Sequence, residues 1–141
     1  MRKLLGMVMV MLLVVPLMAG EYQKESSEYE RAFKSGNYTE AITLAKTGVG
    51  KGNALNAKGL AALNAGNLNE AKALLEEAIK QDADQYWAHN NLGVVLLAQG
   101  DAAGAAKEFQ LHIDVNSAAT DDGAAGRIAK GKANLATAQL Y

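Results

Sequence analysis

The sequence predicts an all-α fold, an α-solenoid of about three helix pairs closed by a C-terminal capping helix. Three observations carry this. From Glu21 onward alanine, leucine, lysine, glutamate and glutamine dominate, and the chain holds a single proline, a composition that favours helix. The β-branched residues are scattered and form no alternating run, so no strand is predicted. Three segments resemble one another: "SGNYTEAITLAKTGV" from Ser35, "AGNLNEAKALLEEAI" from Ala65 and "QGDAAGAAKEFQLHI" from Gln99.

The first twenty residues stand apart. Arg2 and Lys3 precede an apolar run, "LLGMVMVMLLVVPLMA", broken by Pro16 and followed by the polar "GEYQKESSEYE". A basic start, a short apolar centre and small residues at its end read as a signal peptide over 1–20. The run is shorter than the roughly 20 residues of a spanning helix. Leu17 fits a cleavage site poorly, which leaves an uncleaved anchor as the alternative. From a signal-like start and a complete lack of cysteine, the mature chain, residues 21–141, is expected in the periplasm or cell envelope of a bacterium, or secreted. Without cysteine there is no disulfide, no thiolate metal site and no thiol nucleophile. Removal of Arg2 and Lys3 takes the formal charge from −1 to −3. A weakly acidic domain with no basic stripe argues against nucleic acid, and against an anionic membrane surface unless the N-terminal segment is retained.

Within each repeated segment a glycine (Gly36, Gly66, Gly100) ends one helix, because it tolerates the left-handed backbone of a helix end. The asparagine or aspartate after it starts the next helix by accepting a bond from a free backbone N–H. Five residues past the glycine, Ala41, Ala71 and Ala105 are small enough for two helices to approach. Upstream, "NAKGLAALNAG" and "NNLGVVLLAQG" also match, with Gly59 and Gly93 seven residues before the turn. Glycine in mid-helix costs about 1 kcal/mol against alanine, so its recurrence marks a helix contact that excludes a side chain. Both glycine pairs, 59 with 93 and 66 with 100, are 34 residues apart. A two-helix unit of that period is a repeat signature.

With these residues the chain resembles the tetratricopeptide repeat family. Gly59, Gly66, Ala71, Leu75 and Ala78 fit its pattern in the second repeat. Gly93, Gly100, Ala105 and Phe109 fit it in the third, where His112 replaces the second small residue. The first repeat fits at Ala32, Gly36, Ala41 and Gly48 but has Tyr29 at the first small position, and the family's proline is absent. The repeats are expected at about 22–52, 53–85 and 86–118. The capping helix is expected over about 119–139, with Ile128, Leu135 and Ala138 on one face. There Asp121 or Asp122 is placed to cap the start, and Arg127 and Lys130 to face water. A degenerate fourth repeat is the alternative description of that helix.

The stretch "TGVGKGNA" from Thr47 resembles a phosphate-binding loop. That motif needs a glycine where Ala45 stands, a serine or threonine where Gly52 stands, and a preceding strand. Aligning the repeats puts Gly48 late in a helix, with "GKGN" as the turn into the next. His89 and His112 lack helical i, i+4 spacing and a third ligand, so no metal site is expected. His89 is expected at the surface or in packing, and His112 against the terminal helix. The pairs Asp82 with Asp84 and Asp121 with Asp122 sit at helix boundaries, where capping accounts for them. No G-x-S-x-G elbow occurs. The expectation is a non-enzymatic chain with no catalytic residues and no cofactor.

The resemblance implies a groove lined by the first helix of each pair. Its positions carry over to Asn53, Asn56, Leu60, Leu63 and Asn64 in the second repeat. In the third they carry over to Trp87, Asn90, Val94, Leu97 and Ala98, with Phe33 and Lys34 as additions from the first. Asparagines both donate and accept, which suits the backbone of a bound segment, and Trp87 is an interface type of residue. Trp87 either faces the groove or packs on the preceding repeat, and the asparagines could equally be plain helix surface. Only Lys34 could clamp a terminal carboxylate, which argues against that mode. The expected function is a protein–protein scaffold or adaptor that binds a peptide or helix. The alternative occupant of the groove is a second copy of the chain.

Overall fold

A computed structural model describes residues 24–141; the signal-peptide reading of 1–20 lies outside them. Seven helices follow one another: α1 (Ser27–Lys34), α2 (Tyr38–Leu44), α3 (Gly48–Asn64), α4 (Leu68–Gln81), α5 (Tyr86–Ala98), α6 (Ala102–Ser117) and α7 (Ala124–Ala138). No strand occurs among the described residues. Helices α1/α2, α3/α4 and α5/α6 form three pairs, and α7 packs on α6. The fold is the all-α solenoid of the sequence reading.

The turns within the pairs follow from single residues. Gly36, Gly66 and Gly100 have φ of 79°, 81° and 87°, and no other described residue has a positive φ. After each, the backbone N–H of Asn37, Asn67 or Asp101 donates at 2.9 Å to the carbonyl of Ala32, Ala62 or Leu96. This is the long bond that closes a glycine-terminated helix. Asn37 and Asp101 then accept from the N–H groups of Glu40 and Gly104, whereas Asn67 makes no side-chain cap. Ala41, Ala71 and Ala105 are completely buried, as small contact residues must be.

Neighbouring helices meet where a side chain is missing. A Cβ on Gly59 would stand 2.8 Å from Leu75, one on Gly93 2.5 Å from the Phe109 ring, and one on Gly131 2.7 Å from His112 and Ile113. Leu75, Phe109 and His112 are each at most 1% exposed. Leu75 and Phe109 belong to the main core, which runs from Leu55 on α3 to Ala138 on α7. A smaller cluster of Tyr29, Ala32, Ala41 and Ala54 holds the first pair.

The glycines from 48 to 52 overturn their sequence reading. Gly48 does not lie late in a helix, nor is "GKGN" a turn: α2 stops at Leu44, and Gly48, Gly50 and Gly52 form the first turns of α3. Thr47 caps α3, its hydroxyl accepting from the Gly50 N–H at 2.9 Å. A Cβ on Gly48 would stand 2.5 Å from the Gln81 carbonyl oxygen, and one on Gly52 3.1 Å from Asp82. These glycines let α3 begin directly against the end of α4. The 30-residue spacing from Gly36 to Gly66 thus reflects a short α2 beside a long α3. Tyr29 on α1 donates its hydroxyl to the Gly50 carbonyl at 2.7 Å. Burial, together with Glu25 and Glu30, pushes that phenol up to about 12.

The amides before α3 do hold an anion, and it is the protein's own. Glu25 accepts from the backbone N–H groups of Lys46 and Thr47 at 2.8 and 2.9 Å, and from the Thr47 hydroxyl. Burial works against this charge, but the three donors outweigh it and hold the carboxyl below its ordinary range.

His89 is a packing residue. Its Nδ1 lies 2.7 Å from a Glu108 oxygen on α6 and its Nε2 3.1 Å from the Ala83 carbonyl, so a doubly protonated ring satisfies both. Burial opposes the charge, yet Glu108 and that carbonyl raise the ring above its ordinary value of 6.5. A group raised by folding stabilises fully below its unfolded value and loses that contribution as pH rises through the folded one. His89→Gln is therefore expected to cost about 2 kcal/mol in mild acid and clearly less in mild alkali. Urea unfolding at both pH values checks this; an equal cost at both would discard the charged pair.

Candidate binding groove

The expected lining residues fall on α3 and α5, the adjacent first helices of the second and third pairs. Leu60 and Val94 are 38% and 36% exposed, large apolar side chains held partly in solvent. Leu63 and Leu97 are half-buried and rest on the core, and Asn53, Asn64 and Ala98 are exposed. Spacings of three, four and seven residues put Leu60 near Asn53, Asn56, Leu63 and Asn64, and Val94 near Trp87, Asn90, Leu97 and Ala98. Val94, Leu97 and Ala98 also line a cavity of about 620 Å3 shared with Gly100, Ala102 and Tyr141. Phe33 and Lys34 stand apart: Phe33 packs with Tyr29 and Tyr38, and Lys34 pairs with Glu30 at 3.5 Å.

The side-chain amides of these helices pair with one another. Asn134 on α7 donates to Asn90 at 2.8 Å, Asn90 to Asn91 at 3.3 Å, and Asn91 to Asn56 at 3.0 Å. Gln85 donates to Asn53. The chain of side-chain amides links α3, α5 and α7, and Asn90 is only 3% exposed. Asn53 and Asn56 keep their NH2 groups free of bonds within the described residues.

Trp87 is half-buried and has neighbours on its own helix, α6 and α7. Its ring lies 5.3 Å from Tyr86 and 5.8 Å from His112, with the Lys130 ammonium 5.2 Å from its centre. Arg127 does not face water as expected. Its guanidinium sits 4.8 Å over Tyr86, donates to Asn116 and pairs with Asp121. That pairing, with the Gly123 N–H, pulls the Asp121 carboxyl down to about 2. Asp121 does not cap α7 in the ordinary sense, since Gly123 holds that position. His112 packs against α7, as the sequence reading has it, with its ring nitrogens 2.7 Å from the Tyr86 carbonyl and 3.0 Å from the Arg127 carbonyl.

Sequence reasoning missed Asn91 and Asn134, and it did not foresee Lys130 over the Trp87 ring. Asn134 lies 44 residues beyond Asn90, so no 34-residue spacing points to it. Among the described residues no group of three or more His, Cys, Asp or Glu is placed to hold a metal ion, and no helix is long and apolar enough to cross a membrane. On α3 and α5 one large apolar side chain each, Leu60 and Val94, thus stands partly in solvent near asparagines.

Compared with known families, residues 56–124 match the tetratricopeptide repeat. This segment begins at Asn56 on α3 and ends at Ala124, the first residue of α7. No curated protein matches the chain.

Proposed function

On the premise of tetratricopeptide repeats over residues 56–124, a module that generally mediates protein–protein interaction, we propose that the protein is a non-enzymatic scaffold of the bacterial cell envelope. It binds a peptide or helix of a partner along α3 and α5. One observation carries the reading: Leu60 and Val94, 34 residues apart on α3 and α5, hold large apolar side chains partly in solvent, each three residues before a half-buried leucine. The nearby amides would hydrogen-bond a segment's backbone, and Leu60 and Val94 would take its apolar side chains. Signal-like residues at the start support the location.

Leu60→Glu with Val94→Glu tests this without disturbing buried groups. Each places a charge where an apolar contact would form, so the pair is expected to weaken capture by tenfold or more, about 1.4 kcal/mol at least. The readout is capture from envelope extract, with circular dichroism confirming the fold. Equal capture by both proteins would remove Leu60 and Val94 from the site. Self-association is the second reading, favoured by Leu140 and Tyr141, 84% and 88% exposed, Tyr141 lining the Val94 cavity. Mass that rises with concentration, and falls in the double variant, would favour it.

A further inference from the structure

We propose that the partner segment is acidic as well as apolar, and that Lys130, held on the Trp87 ring, takes one of its side-chain carboxylates. The charges of the chain are sorted by layer. Helices α3, α5 and α7 touch in that order. They carry Lys51, Lys58, Arg127, Lys130 and Lys132 and not one aspartate or glutamate. The second helices of the pairs carry acids instead: one on α2, three on α4 and two on α6, against two lysines on α4 and one on α6. A chain of formal charge −1 thus keeps a layer whose only charges are cations, and the proposed groove runs along it.

Contacts decide which of these cations a ligand can reach beside the groove positions. Arg127 is engaged inside the chain, by Asp121 and Asn116. Lys130, one turn later, is exposed, and its ammonium lies 5.2 Å from the centre of the Trp87 ring. Among the described residues it forms no ion pair. The ring face attracts the ammonium and narrows where a flexible lysine points, while its N–H donors stay available to an oxygen. Four residues on, Asn134 donates to Asn90. The same two helices therefore set Lys130 beside both Trp87 and Asn90.

The asparagines of α3 add donors. Asn53 and Asn56 accept from Gln85 and Asn91 through their oxygens and keep their NH2 groups. A carboxylate-bearing segment meets a cation and free donors here, whereas a basic one meets repulsion. Complementarity of this kind sets specificity more than affinity. Nucleic acid is served less well, since it needs a track of phosphate contacts. The proposal rests on the groove reading and adds the charge of its occupant.

Random peptides displayed on phage without a free C-terminus, selected on the full chain, test this through side-chain carboxylates alone. Sequences rich in aspartate or glutamate beside leucine, isoleucine or valine are expected. Lys130→Glu should bind them about tenfold more weakly and select sequences without the acidic excess. Lys132→Glu makes the same change of net charge about 200° round α7 and should select as the wild type does. Circular dichroism checks the fold; should Lys130→Glu unfold, Lys130→Gln, expected to be about threefold weaker, takes its place. Selected sequences with no acidic excess, or an excess that survives the loss of Lys130, overturn the proposal. If those sequences are still lost by the Leu60→Glu, Val94→Glu variant, the groove reading stands without it. An empty selection overturns both. Equal competition by a single-stranded DNA oligonucleotide, or self-association that Lys130→Glu abolishes, makes the occupant a polyanion or a second copy and overturns it as well.

Discussion

Gly93→Leu is expected to lower stability by about 3 kcal/mol or more, at the upper end of overpacking effects. The first added atom would already stand 2.5 Å from the Phe109 ring, and the ring, 1% exposed, belongs to the main core with little room to move. Leucine favours helix over glycine by roughly 0.8 kcal/mol, so the expected loss is net of that gain. Gly126→Ala is the matched control. A Cβ there meets nothing within 4 Å and φ is not positive, so a gain of up to about 1 kcal/mol is expected. Urea midpoints of the two variants measure both effects. A Gly93→Leu protein as stable as the wild type would mean that close approach of α5 and α6 is not what this glycine serves.

Phe109→Ala is expected to cost about 4 kcal/mol, the lost burial of a full aromatic side chain plus the cavity it leaves. The same ring makes a sharper test possible. In the wild type, Gly93→Ala should destabilise by about 1 kcal/mol, as overpacking exceeds helix propensity. Once Phe109 is alanine the obstacle is gone, and Gly93→Ala should stabilise by about 1 kcal/mol from propensity alone. The double-mutant cycle therefore predicts strong coupling. Additive effects would sink the contact as the reason for the glycine.

The helix pairs were legible because their punctuation is local. A glycine that needs positive φ, an asparagine or aspartate after it and an alanine five residues on each act through their own backbone or their own size. Gly59 and Gly93 were legible for a related reason, since a mid-helix glycine carries a cost that a contact must offset. Illegible were the bounds of the first pair. Gly48 matched Ala78 in the alignment, yet α2 ends at Leu44. In the link that follows, Thr47 caps α3 and Glu25, more than twenty residues upstream, holds the Lys46 and Thr47 amides.

Residue type and spacing pointed to Leu60 and Val94, which stand partly in solvent. They could not say which asparagines would be used up inside the chain, nor that Arg127 would turn from water to Tyr86. Those outcomes depend on α7, whose side chains meet α5 outside any repeat spacing.

What the sequence determined by itself is the all-helical repeat, its turns and its close-packed glycines, each a property of one residue and its nearest neighbours along the chain. Only the tertiary structure decided that Glu25 fills the would-be phosphate loop, that Asn134 completes an amide chain from α3 to α7, and that His112 stands between two carbonyls. These pairings join groups 15 to 44 residues apart. They exist only when the stacked helices bring donors and acceptors within hydrogen-bond reach, a distance that no local preference sets.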